Sequence, residues 1–134
     1  MYTKSPAGRS IQIAAVVFTF ALLECTDFVA PFVPSVTNEV DNFDFRTPDL
    51  TGVTTTARYM WETTGNNAHV TLSSALTAGT ATVTVTDAEG ALIYTHTLDG
   101  ILSETTSSGT AGFWTITVAL SNARGPLHFT LQKP

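Results

Sequence analysis

From Ala81 to Thr86 the chain alternates strictly: Ala81, Val83 and Val85 are apolar, while Thr82, Thr84 and Thr86 carry hydroxyls. Successive side chains on a strand point to opposite faces, so this run predicts a strand with one face in a core and one face wet. Asp87-Ala88-Glu89-Gly90 follows, with Asp opening and Gly closing a hairpin loop built on a type I turn. The return strand spans 91–98, and alternation puts Leu92, Tyr94 and Leu98 on one face. The same period recurs on either side. Ala57, Tyr59 and Trp61 oppose Arg58, Met60 and Glu62, and Ala68, Val70 and Leu72 oppose His69, Thr71 and Ser73. Trp114, Ile116, Val118 and Leu120 form the most apolar face, and Leu127, Phe129 and Leu131 a closing strand. Turn-forming residues separate these runs at Thr64–Asn67, around Gly79 and over 121–126, and a Ser/Thr/Gly-rich loop is expected over 99–112. The pattern predicts an all-β, antiparallel β-sandwich of about six to eight strands over 53–134.

The first 25 residues obey a different rule. Lys4 and Arg9 precede an apolar run from Ile11 to Leu23 that includes Ile13, Val16, Val17, Phe18, Phe20, Leu22 and Leu23 and leaves no polar stripe. A positive flank before an apolar run is the layout of an export or anchor segment. Ser5-Pro6 reads as a helix start, and a helix from Pro6 to Glu24 would rise about 28 Å, near the roughly 30 Å of a bilayer's hydrocarbon. The segment is therefore expected to be a retained single-pass membrane helix, its N-terminus cytoplasmic and the β domain on the periplasmic side. Cys25, the single cysteine, follows Leu22-Leu23-Glu24 and resembles the modified residue of a bacterial lipobox, although Glu24 replaces the small residue such a site has. Cys25 is thus a candidate lipidation site, and the segment's other fates are that of a lipoprotein signal and that of a cleaved export signal, for which Phe28-Val29-Ala30 is a poor cleavage site.

Residues 26–52 connect the two regions. Pro31, Pro34 and Pro48 exclude a long helix or a central strand. Phe28, Phe32, Phe43 and Phe45 make the stretch too apolar for a solvated tether. These rings are expected either to pack back on the sandwich or rest at the membrane interface, or to dock on a partner protein.

The stretch 81–87, then Gly90, then Gly112-Phe-Trp-Thr-Ile-Thr-Val118, then Gly125 to Leu131, resembles small sandwiches of bacterial envelope proteins and is similar to immunoglobulin-like and GOLD-type modules. The resemblance implies an architecture and no activity. Chemistry is sparse. The chain is 13% charged, about half the usual share, with net charge −5 and no basic cluster, so nucleic acid is not an expected partner. No Gly-x-Ser-x-Gly elbow, phosphate loop or metal-ligand spacing is present, and His69 and His128 fall on hydroxyl-bearing faces. No enzyme activity, cofactor or small-molecule substrate is expected. The expected role is that of a structural or accessory subunit of an integral membrane protein complex, in contact with the lipid bilayer, with energy-transducing (photosynthetic or respiratory) assemblies as plausible hosts. The alternative is a free-standing surface lipoprotein whose sandwich binds a ligand such as a glycan.

Overall fold

The computed structural model describes residues 32–134, and everything in it that is regular is strand. The expected membrane helix over 1–25, Cys25 and Phe28 lie outside the described residues. Among those described, no helix is long and apolar enough to cross a membrane.

Nine strands follow one another: β1 Ser35–Glu39, β2 Asn42–Arg46, β3 Leu50–Thr63, β4 His69–Ser74, β5 Ala78–Thr86, β6 Leu92–Thr97, β7 Gly100–Thr105, β8 Gly112–Gly125 and β9 His128–Gln132. They form a five-stranded sheet in the order β1-β2-β9-β4-β7 and a four-stranded sheet in the order β3-β8-β5-β6, and every pairing is antiparallel. The alternating apolar faces meet between the sheets. Phe43, Phe45, Val70, Leu72, Phe129 and Leu131 come from one, and Trp61, Trp114, Ile116, Val118, Val83 and Val85 from the other, all fully or almost fully buried. Phe45 stacks on Phe129 with ring centroids 5.1 Å apart, and Tyr59 meets Phe45 edge-on at 6.0 Å. Trp61 and Trp114, cross-strand partners, sit edge to face at 5.6 Å.

The sandwich begins earlier than the boundary at 53 read from the sequence. Ser35–Arg46 forms a hairpin that continues the five-stranded sheet, and β3 already starts at Leu50. Phe43 and Phe45 alternate with Asp44, which is a strand signal, but the prolines on either side of it suggested a linker. Pro34 and Pro48 fall outside the strands, where they interrupt no ladder. Phe43 and Phe45 pack back on the sandwich, both in its core. Phe32 is the first described residue and precedes β1.

Three smaller departures have local causes. β7 lies within the expected loop 99–112, and its inward side chains, Leu102 and Glu104, gave little apolar signal. A bulge at Ile93 puts Leu92 opposite Thr86 and Tyr94 opposite Val85, so Leu92 does not share a face with Tyr94. β8 runs through the expected turn to Gly125, with Asn122 in a left-handed conformation (φ 49°) where the register with β5 shifts. Gly79 makes that crossing close. Its φ is +77°, and an added Cβ would collide with the Asn122 backbone.

The free edge of β3 is closed by the first hairpin. The Asp41 amide donates to the Glu62 carbonyl (3.0 Å) and the Asn38 amide group to the Met60 carbonyl (2.9 Å), while the Trp61 indole N–H returns a bond to the Glu39 carbonyl (2.9 Å). Trp61→Phe deletes that donor and leaves a gap in the core. The expected loss is about 1–3 kcal/mol in urea unfolding, and an unchanged midpoint would show that the clasp contributes nothing.

Candidate functional site

The two outward faces differ in kind. On the five-stranded sheet the polar groups pair with one another. Asp44 accepts from Arg46 (3.2 Å) and lies 3.4 Å from His128 Nε2. Burial would raise the Asp44 carboxyl, but the hydrogen bonds from Arg46 and His128 outweigh it and hold the group below the usual range. His69 Nε2 meets the Ser103 hydroxyl at 2.9 Å, and Gln132 donates to Asn42 at 3.1 Å. β4 and β9 are neighbours, yet His69 is level with Gln132 and His128 is level with Arg46, four residues further along β9, or about 13 Å. The two rings therefore do not converge. Among the described residues no group of three or more His, Cys, Asp or Glu could hold a metal ion.

At the open side of the sandwich, Tyr94 on β6 donates its hydroxyl to Glu104 Oε2 on β7 at 2.7 Å. Burial, and then this bond to a carboxylate, push the Tyr94 phenol up, so it stays a neutral donor. His96 stacks on Tyr94 (centroids 6.2 Å), and its Nδ1 lies 2.7 Å from the Thr97 carbonyl. The half-buried His96 ring thus lies beside the Tyr94–Glu104 contact that joins the two sheets.

The outer face of the four-stranded sheet is built from the threonines of the alternating runs. The cross-strand register places them in rows. Thr56, Ala119, Thr82 and Thr97 form one row; Arg58, Thr117, Thr84 and Thr95 the next; Met60, Thr115, Thr86 and Leu92 the third; and Glu62 with Phe113 the last. Rows lie about 6.7 Å apart along the strands and strands about 4.8 Å apart. Thr84 and Thr95 bring their hydroxyls within 3.5 Å, and the Thr115 hydroxyl points at the Met60 sulfur (3.7 Å). Each β-branched side chain is stiff at χ1, so the face shows ordered methyls and hydroxyls at little entropic cost.

Two features set this face apart. Met60, Leu92 and Phe113 are large apolar residues exposed at 60%, 60% and 56% in its last two rows, with Met60 and Leu92 on the two edge strands. Across these four rows the charged side chains are Arg58 and Glu62, four residues apart on β3, and neither forms an ion pair among the described residues. An outward sheet face without charge clusters and with several exposed apolar side chains has the composition of an interface core.

No protein-family model matches the chain, and no match to a curated protein or a solved structure was found. The chemistry of the face must therefore be read from its residues alone. Sequence reading singled out Phe43 and Phe45, which are buried, and passed over Met60, Leu92 and Phe113. Their signal was present as apolar residues occurring in phase with the threonines instead of with the core.

Proposed function

We propose that this chain is a non-enzymatic structural or accessory subunit, held at a membrane by the segment 11–23 and docked through the outer face of its four-stranded sheet. The observation that carries the reading is the contrast between the two outward faces. One pairs Asp44 with Arg46 and His128 and exposes one large apolar strand residue, Ile101, on its edge strand β7; the other carries Arg58 and Glu62, neither in an ion pair among the described residues, and exposes Met60, Leu92 and Phe113. A face that only needed solubility would be expected to carry about a quarter to a third charged residues. Docking through a preformed, rigid sheet costs little ordering entropy, because the threonine rotamers are already restricted.

A glycan-binding lipoprotein is less well supported. The tryptophans on which a sugar ring would stack, Trp61 and Trp114, are both fully buried.

The test is the composition of the particle extracted from native membranes in mild detergent, with and without Thr84→Lys. Thr84 is partly exposed in the middle of the face, so lysine there can extend into solvent without entering the core. The wild type is expected to come out with stoichiometric partners. The lysine variant is expected to keep the wild-type circular dichroism and lose at least about tenfold in partner recovery, as for a charge buried unpaired in an interface. A variant that keeps its partners overturns the assignment of this face, and a wild type that emerges with no partner overturns the accessory role.

A further inference from the structure

We infer that the partner on this face is a second copy of the same chain, packed sheet on sheet about a two-fold axis that runs across the strands at the level of Met60. The inference rests on the docking reading above and adds the identity of the occupant.

A two-fold contact brings one patch against itself, so the patch must be complementary to its own reverse. Along β3 the outward residues read Arg58, Met60, Glu62. Rotation by 180° about an axis through Met60 and perpendicular to the strand places Arg58 over Glu62 of the second copy, and Glu62 over its Arg58. The face's two charges, in no ion pair among the described residues, are thus both paired by a single operation. Met60, Thr115, Thr86 and Leu92 form the row on the axis and meet their own counterparts. Phe113, in the Glu62 row, falls against Thr117 of the other copy, in the Arg58 row. No like charges are brought together anywhere in these rows.

The sheet geometry suits such a contact. Twisted sheets pack face to face with their strands within about 30° of one another, and two copies of one sheet carry the same twist. Four strands at about 4.8 Å and four rows at about 6.7 Å give a face of roughly 500 Å² in projection. Rotation about Met60 overlays the rows from Arg58 to Glu62, and accessible area exceeds projected area on a surface of side chains, so each copy buries an area at the lower end of specific interfaces. Edge-to-edge pairing of β3 is blocked over the same residues, because Asn38 and Asp41 already occupy the Met60 and Glu62 carbonyls. The axis also has the direction that two tethered copies need. The described chain enters the sandwich at β1, an edge strand clasped to β3, and an axis across the strands leaves both β1 edges on the same side of the pair.

The test uses the full chain in mild detergent, with protein mass measured by light scattering corrected for detergent. The wild type is expected to have the mass of two chains. Arg58→Glu and Glu62→Arg, each alone, set like charges opposite one another and are expected to raise the dissociation constant at least about tenfold. The double variant Arg58→Glu/Glu62→Arg restores both pairs and is expected to return to within about threefold of the wild type. Thr115→Lys puts two ammonium groups against each other on the axis and is expected to give monomers with unchanged circular dichroism. A monomeric wild type, or a dimer indifferent to all four variants, overturns the pairing. The docking reading fails separately. If the wild type is monomeric yet loses other proteins of its native particle on Thr84→Lys, self-pairing falls and docking on a different protein stands. If a charge-sensitive dimer is extracted with no other protein, self-pairing stands and the accessory role falls.

Discussion

Phe45→Ala is expected to unfold the sandwich, not to release the protein from a partner. The ring is completely buried, stacked on Phe129 and edge-on to Tyr59, on a strand that supplies two of the largest core side chains. Removing a buried phenylalanine ring costs about 3–5 kcal/mol, the lost transfer energy plus the cavity left between two sheets that cannot close up. Whole domains of this size are stable by about 5–15 kcal/mol, so the variant keeps at best a marginal fold. The measurement is urea unfolding followed by tryptophan emission. The chain's two tryptophans, Trp61 and Trp114, are both buried and in contact, so their emission reports opening of the sandwich directly. The red shift of exposed indole should begin at much lower urea than in the wild type. A variant with the wild-type midpoint but weaker membrane recovery would show that β2 does not belong to the core. Thr84→Lys is the opposite case: loss of partners at constant midpoint.

These two substitutions mark where the sequence was legible. Strands β3, β4, β5, β8 and β9 bury every second residue over at least part of their length, and period two alone locates them, with their inward faces. The buried Trp114 follows from its phase with Ile116 and Val118. The edges were harder, for a physical reason. An edge strand needs few apolar residues, so β1 (Ser-Val-Thr-Asn-Glu) and β7 (Gly-Ile-Leu-Ser-Glu-Thr) carry almost no alternation. The Ile93 bulge is invisible to periodicity because one inserted residue changes the phase without changing the composition. The candidate face was hidden differently. Each threonine on it reads as an ordinary solvent-facing strand residue, and only the register shows four such strands forming one surface with Met60, Leu92 and Phe113 in its last two rows. The pairing of Arg58 with Glu62 needs that register as well.

A second large effect is expected where a buried carboxylate holds two loops together. Asp87 closes β5. Its Oδ1 accepts the amides of Glu89 (3.0 Å) and Ala91 (2.8 Å), and its Oδ2 accepts the amide of Thr110 from the loop before β8 (2.8 Å). The amides of Thr110 and Ala91 hold the carboxyl below its usual range, burial opposes them, and Glu89 adds to the lowering. Asp41 is lowered in the same way, by the Thr64 amide and hydroxyl. The sign of the linkage follows. A carboxyl lowered in the folded state stabilises the fold fully above its unfolded value of about 3.9, and that contribution is lost as pH falls through the folded value. Stability should therefore be level from neutral pH to about pH 5 and fall steeply below about pH 4. Asp87→Asn keeps an oxygen for Glu89 and Ala91 but turns an N–H₂ toward the Thr110 N–H, leaving two donors face to face in a buried site. Its melting midpoint at pH 7 is expected to drop by roughly 5–10 °C. Because the variant has one fewer lowered carboxyl, the acid limb of its stability curve should also be shallower by up to one proton. Melts of both proteins from pH 7 to pH 3 check the two expectations together. Parallel acid limbs would show that Asp87 contributes none of the acid sensitivity, leaving it to Asp41 and Asp44.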